Sequence, residues 1–510
     1  MKRRNFLIST AIAAVGTHLT ITESDAAAAP TPTLAKAAAV VAGYEQSSRD
    51  AAYIRAIAKP TTTFVSRRPP KSERRFVSQS VDRTIHEISA KIADPELAWM
   101  FENCFPNPMD TTVDFSPAHK NDGKPDTFVL TGDIPAMWPR DTMYQMSPYM
   151  SLAKHDPHLR EMLHGVINRM VDCVLISPYA NAYLKTIQEV SPWHVDHTHM
   201  APGVWEHKWE LDTPCATIRM SHAYWRATGD VTPFDARWRS AMERIVDTFH
   251  VQQRLISPGP YRFQRKTLVS TDTLPRDGLG FPAKPVGLIY TMFRPSDDAV
   301  TYPLNIPDNL LAATSLDELS ELYGALGIDS AKNEDCKKFS ATIRAAVRKF
   351  GIVEHGTFGK VYAFEVDGFG NALFMDDAGW PGVLALPYLG ACPVNDPIYQ
   401  ASRKLVWGPA NPYFYKGKFE GIGSIHTPSN NIWPLSLIMY GLTATTSQQV
   451  AWALRQLKIS GAGTGFIHES YSANDPAQFT RPWFAWANAM FGELVLHAAR
   501  HYPGILAEKL

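Results

Sequence analysis

The chain has 510 residues with 50 basic and 50 acidic side chains, so its formal net charge is zero; no long-range field draws in nucleic acid or an anionic membrane, and a neutral partner is expected. Aromatic residues make up 11% of the chain, 13 Trp among them, and indole faces stack on sugar rings as well as filling cores. Cys104, Cys173, Cys215, Cys336 and Cys392 lack C-x-x-C pairing and zinc-ligand spacing, which argues against a disulfide scaffold and a structural metal site.

Met1-Lys2-Arg3-Arg4 and the weakly hydrophobic stretch after it, to about Ile21, have the pattern of a twin-arginine export signal, with small residues for cleavage at Ala26 to Ala29. The stretch is too short and too polar to span a bilayer, so no stable membrane insertion is expected after cleavage. Residues 1–29 therefore read as a signal peptide and 30–66 as a linker or N-terminal extension, helical within Ala39 to Ala58. Composition stays uniform from Arg67 onward, so 67–510 reads as one catalytic domain. The expected location is periplasmic or secreted, in a bacterium.

Thr131-Gly-Asp-Ile-Pro-Ala-Met-Trp-Pro-Arg-Asp141 is broken by Gly132, Pro135 and Pro139, which excludes a regular helix or central strand across the run. A loop so stiffened can aim Asp133, Trp138, Arg140 and Asp141 at one point, a mixture suited to a polyhydroxylated ligand; the competing reading is a buried salt-bridged turn. Next, Trp209-Glu-Leu-Asp212-Thr213-Pro214 leads into a helical run from Cys215 to Thr228 that stops at Gly229. Thr213 fits the N-cap and Pro214 the first helical position. Asp212 then lies beside Trp205 and Trp209, where apolar rings raise a carboxyl's pKa towards that of a general acid. Alternatively, Asp212 caps the helix itself or pairs with Lys208.

Further on, Trp238, Met242, Ile245 and Phe249 carry helical spacing, as do Phe339, Ile343 and Val347 before Gly351. Ser315 with Glu318 and Thr446 with Gln449 fit capping boxes. A strand pattern stands out at Lys360 to Val366, before the turn at Asp367-Gly368. Between the helices, Arg294-Pro-Ser-Asp-Asp298, Met375-Asp-Asp377 (with Asp376) and Gly421–Pro428 (with His426) combine acids, amides and breakers. They lack EF-hand spacing, and carboxylates serving sugar hydroxyls explain the accompanying Trp and His better than calcium does. The Gly-rich run Gly461–Gly465 has no G-K-[ST] ending, and His468-Glu469 is no H-E-x-x-H motif because Ser472 holds the second His position. Glu469 is left as a loop carboxylate that is either functional or simply solvated.

Several of these blocks, in order, resemble the glycoside hydrolase family 125 exo-acting α-1,6-mannosidases. The likeness runs from about Arg67 to Ala499 through Arg-Pro-Pro-Lys-Ser-Glu-Arg at 68 to 74, Met100–Pro106, the Thr131–Asp141 block, Trp209–Asp212, Arg294–Asp298, Gly421–Ser424 with His426–Pro428, His468–Ser470 and Arg481–Trp486. It implies an all-α fold, an (α/α)6 barrel with functional loops and minor β-hairpins. It also implies inverting removal of terminal α-1,6-linked mannose, with Asp212 as general acid and Glu469 as general base. Trp138, Arg140 and Asp141 would grip the terminal sugar, with Asp133, Asp376, Asp377 and His426 as further binding candidates. No cofactor or metal is expected, and the partner is an α-mannoside oligosaccharide. Ile425 and Gly379-Trp380 depart from the family pattern, and Trp380 is bulky enough to reshape a subsite. An inactive sugar-binding protein and another α/α-barrel enzyme, a lyase or epimerase, are the other readings.

Overall fold

The computed structural model describes residues 48–328 and 330–510; the expected signal peptide and its cleavage site lie outside them. Two kinds of helix alternate along the chain. Gln79–Ser89 buries only Ser80, Val81 and Ile85, one stripe of an amphipathic helix. Pro139–Met146 buries all eight of its residues, and Ile306–Ala325 is buried all round from Ile306 to Leu316. Helices of the second kind must sit inside the first.

They do so as a ring. Pro139–Met146 packs on Asp212–Thr228, which packs on Ile306–Ala325, and Ala485–His501 packs on both Pro139–Met146 and Pro434–Leu442. Turns across 382–391 fill the remaining inner place, where Leu389 O accepts from Arg219 Nη1 at 3.2 Å. Outside them lie Pro157–Ile176, Ala236–Gln252, Ser330–Ala346, Pro397–Val406, Ser447–Ser460 and the pair Gln79–Ser89 and Pro95–Cys104. The result is an (α/α)6 barrel. In Ala236–Gln252 the expected stripe of Trp238, Met242, Ile245 and Phe249 is buried, each side chain contributing roughly 1.5–3 kcal/mol.

Caps distinguish most helices of the two rings, the inner helix Ile306–Ala325, capped by Asn305, being an exception. Outer helices begin on side-chain acceptors: Ser78, Asp94, Asp156, Asp235, Asp396 and Thr446. Inner helices at Pro139, Asp212, Pro434 and Ala485 follow Trp138, Leu211, Trp433 and Phe484, none of which caps by side chain. Their first turns lie at one end of the barrel among the loops that carry the polar blocks.

The capping expectations fare unequally. Thr446 accepts from Gln449 N as expected, while Gln449 Oε1 returns to Thr445 N at 3.0 Å. Ser315 caps nothing: Asn305 starts the helix, with Pro307 in its first turn, and Ser315 lies buried in the middle. Thr213 is likewise inside its helix, which begins at Asp212 because Leu211 already has helical dihedrals.

The strand read at 360–366 splits into Gly359–Tyr362, paired with Ile352–His355, and Glu365–Val366, paired with Leu304–Asn305 and Ala372–Leu373. Of the 30–66 segment, the described part is docked rather than free. Ser48–Ile57 is a helix, Ile57 is buried, and Tyr53 meets Trp483 edge-on at 5.3 Å. The five cysteines are free thiols.

Candidate active site

At the loop end of the barrel lies a cavity of about 310 Å³. Its walls include Asp133, Trp138, Arg140, Asp141, His426 and Glu469, together with Trp193, Trp205, Arg265, Asp297, Arg481 and Trp486.

One wall depends on Gly132. Its φ is +135°, and a Cβ there would meet Trp483 O at 2.4 Å, so the Thr131 block can lie directly against the 481–485 segment. That contact brings Asp133 Oδ1 to Arg481, at 2.6 Å from Nη2 and 2.9 Å from Nε. Arg481 Nη1 donates to Glu469 Oε1 at 3.0 Å, and Thr480 Oγ1 donates to Oε2 at 2.9 Å. Both Glu469 oxygens are held while the carboxylate borders the cavity. Asp133 is therefore an ion-pair partner of Arg481 within the wall, and burial raises its pKa against the pull of Arg481. Arg481 itself has a left-handed φ of +40°, strain of the kind tolerated where a side chain must be aimed.

The other wall depends on Pro139. It opens its helix immediately after Trp138, putting Arg140 and Asp141 in the buried first turn. Arg140 meets four carboxyls: Glu210 at 2.5 Å and Asp212 at 3.3 Å from Nη1, Asp297 at 3.1 Å from Nη2, and Asp141 at 3.5 Å from Nε. One guanidinium cannot neutralise all four carboxyls, of which Glu210, Asp212 and Asp141 are buried, so the group retains protons. Burial drives Asp212 up despite Arg140, and pushes Asp141 up to about 7. Asp212 does not line the cavity; Arg140, which does, stands against it. The alternative pairing with Lys208 is not formed, because Lys208 binds Asp272 at 2.8 Å and Glu206 at 3.3 Å.

Asp376 and Asp377 are buried but do not line the cavity. Asp377 accepts from Ser296 Oγ at 2.8 Å and so braces the loop carrying Asp297, while Asp376 accepts from Leu384 N at 2.7 Å and so holds the 382–391 turns. His426 reaches the cavity with Nδ1 at 3.0 Å from Asp298 Oδ2. Trp380 acts from behind: fully buried, it meets Tyr144 and Trp486 edge-on at 5.2 and 5.6 Å, and only Trp486 lines the cavity.

Glu210, Asp297, Thr480, Arg481, Trp193 and Arg265 were not singled out from the sequence. The first four stand inside or beside the recognised blocks, and that adjacency was the available signal. Trp193 and Arg265 carry no motif. They meet in space with the guanidinium 3.6 Å from the indole ring, and Asp196 and Glu206 fix Arg265 at 2.6 and 2.8 Å. The cavity therefore offers indole faces, fixed cations and carboxyls in two protonation environments. Trp138 Nε1, Trp486 Nε1 and Asp212 Oδ1 make no hydrogen bond to another protein group. Such a surface suits sugar hydroxyls and acid–base chemistry.

Residues 94–496 match the family model of the metal-independent α-mannosidases, GH125. The chain belongs to that family. A Streptococcus pneumoniae metal-independent α-mannosidase, solved as a non-productive complex with α-1,6-mannobiose, is 37% identical with a TM-score of 0.80, covering 84% of this chain and 100% of that one. The meiotically up-regulated gene 157 protein of Schizosaccharomyces pombe is 38% identical over 458 residues, 86% of this chain and 89% of that protein. The family match takes in both guanidinium-centred walls, from Asp133 to Trp486. Membership makes the chain a glycosidase.

Proposed function

We propose that this α-mannosidase is exo-acting and inverting, removing terminal α-1,6-linked mannose with Asp212 as general acid and Glu469 as general base. The observation that carries the reading is the division of labour between two arginines. Arg481 and Thr480 hold Glu469 at the cavity edge with both oxygens oriented. Asp212 keeps one oxygen unpartnered and is pushed up by burial, as a proton donor requires.

In the reaction, Asp212 gives its proton to the glycosidic oxygen as the bond from that oxygen to C1 breaks. Glu469 takes a proton from the water whose oxygen forms the new bond to C1 on the opposite face. The separation suited to such a pair is roughly 6.5–9.5 Å. A cavity of about 310 Å³ supports recognition of a chain end, and the α-1,6-mannobiose complex of the Streptococcus relative supports the linkage. Trp138, Arg140, Asp141 and His426 would contact the terminal sugar.

NMR of the first-formed anomer from defined mannobioses tests the proposal: β-mannose from the α-1,6 isomer is expected, and immediate α-mannose would exclude inversion. An unsaturated product would point to a lyase, and binding without release of sugar to an inactive receptor. We further propose export through the twin-arginine route, motivated by Arg3-Arg4 and the stretch behind them; replacing both with Lys should retain the protein in the cytoplasm, and undiminished export would exclude that route.

A further inference from the structure

Residues 48–67 precede the family match at 94–496, yet they are pinned to the two segments that carry and clamp Glu469. From the helix Ser48–Ile57, Tyr53 meets the Trp483 ring edge-on at 5.3 Å and the Phe466 ring at 6.5 Å, while its hydroxyl accepts from Asn107 Nδ2 at 2.9 Å. In the strap that follows, Thr61 N donates to Gly463 O at 2.8 Å. Arg67 closes the strap: Nη1 donates to Thr464 O at 2.6 Å and to Lys59 O at 2.8 Å, and Nη2 donates to Ala56 O. The strap is itself fixed to the outer helix Pro95–Cys104, where Trp99 Nε1 donates to Val65 O at 2.6 Å and Asn103 Oδ1 accepts from Arg67 N at 2.8 Å.

Both anchored segments lead directly to the proposed base. Thr464 Oγ1 bonds to His468 Nε2 at 3.0 Å, and His468, buried and stacked on Phe479 at 3.7 Å, is the residue before Glu469. Trp483 lies two residues beyond Arg481, which with Thr480 holds both Glu469 oxygens. The turn at 461–465 has left-handed φ at Ala462, Gly463 and Gly465 and belongs to no helix or strand, so anchors from outside must fix its path. Thr61 and Arg67 supply them.

We infer that residues 48–67 brace the active site, and that Tyr53 and Arg67 are positioning residues for the general base. Tyr53 acts through Trp483 and Arg481, and Arg67 through Thr464 and His468. The inference rests on Glu469 being that base. A carboxylate that must aim a water at C1 tolerates little displacement, and the brace fixes the chain on both sides of it. Asp212, in the first turn of its own helix beside Arg140, shares none of these contacts.

The test is a double-mutant cycle in the full chain, read as kcat and KM on 2,4-dinitrophenyl α-mannoside at a temperature well below the unfolding of every variant. That leaving group needs no protonation, so turnover reports on activation of the water. Tyr53→Ala is expected to lower kcat about tenfold, within the roughly 100-fold that a misplacement of about 1 Å costs, with KM nearly unchanged. In a Glu469→Ala background the same substitution should change the residual kcat by less than about twofold, because losses that pass through one group do not add. Arg67→Ala is expected to behave alike, and provides the reading if Tyr53→Ala does not fold. A wild-type kcat in folded Tyr53→Ala overturns the inference, as does an equal loss in both backgrounds, which is what a general loosening of the fold would give. If Glu469→Ala alone keeps wild-type turnover, the proposed function fails first, and this inference with it.

Discussion

Arg481 Nη1 binds Glu469 Oε1 at 3.0 Å while the same guanidinium holds Asp133 through Nη2 and Nε. The proposed base is thus oriented by a fork whose other side is anchored in the Thr131–Asp141 loop. A lysine cannot reproduce that fork, since it carries a point charge without a fixed plane.

Arg481→Lys should therefore keep the charge and lose the aim. We expect kcat on mannobiose to fall about 100-fold, the scale associated with a misplacement of about 1 Å, with KM less affected. Steady-state kinetics on the purified variant decide it, and a wild-type kcat would show that Glu469 does not depend on this clamp.

Asp212→Asn removes the donated proton but keeps the shape. Turnover of α-1,6-mannobiose should drop by about 10²–10⁴-fold, the usual contribution of general acid catalysis. Activity on 2,4-dinitrophenyl α-mannoside should survive, since that leaving group departs unaided. Near-wild-type turnover of mannobiose would remove Asp212 from the mechanism.

Asp376 gives a stability prediction with a definite sign. Burial pushes its carboxyl up to about 8 from 3.8. Between those values the unfolded chain has lost a proton that the folded chain keeps, so stability from this group is present at low pH and lost as pH rises towards 8. Asp376→Asn removes the titration, and its amide oxygen can still accept from Leu384 N. The variant's Tm relative to wild type should climb between about pH 5 and pH 8; a constant difference would mean that Asp376 is ionised throughout.

Gly132→Ala tests the seam between the two halves of the site. An added Cβ meets Trp483 O at 2.4 Å and a φ of +135° that L-residues avoid. The expected cost is about 1–3 kcal/mol, read by thermal unfolding, with a loss of activity as Asp133 and Arg481 separate. An unchanged Tm would show that the segments part without penalty.

Helices such as Ala236–Gln252 were legible because a buried stripe repeats at the helical period within a few turns of local sequence. The inner helices were harder. Ile306–Ala325 is buried all round, so the Ser315–Glu318 pattern inside it looked like a start, and only its neighbours reveal that the chain was already helical. The loops announced themselves through Gly, Pro and acid-rich blocks. Which blocks would meet was not written locally: Asp133 and Arg481 are 348 positions apart.

By itself, the sequence determined the amphipathic outer helices such as Ala236–Gln252, that the long-range charge is balanced, and which blocks mark the family. The tertiary structure decided the grouping of the carboxyls and hence their protonation. Asp133 and Asp141 belong to one short block, yet Asp133 is tied to Arg481, while Asp141 shares Arg140 with three other carboxyls and is pushed up to about 7. The physical reason is that a carboxyl's charge depends on desolvation and on cations within a few ångströms, and only folding brings those cations together.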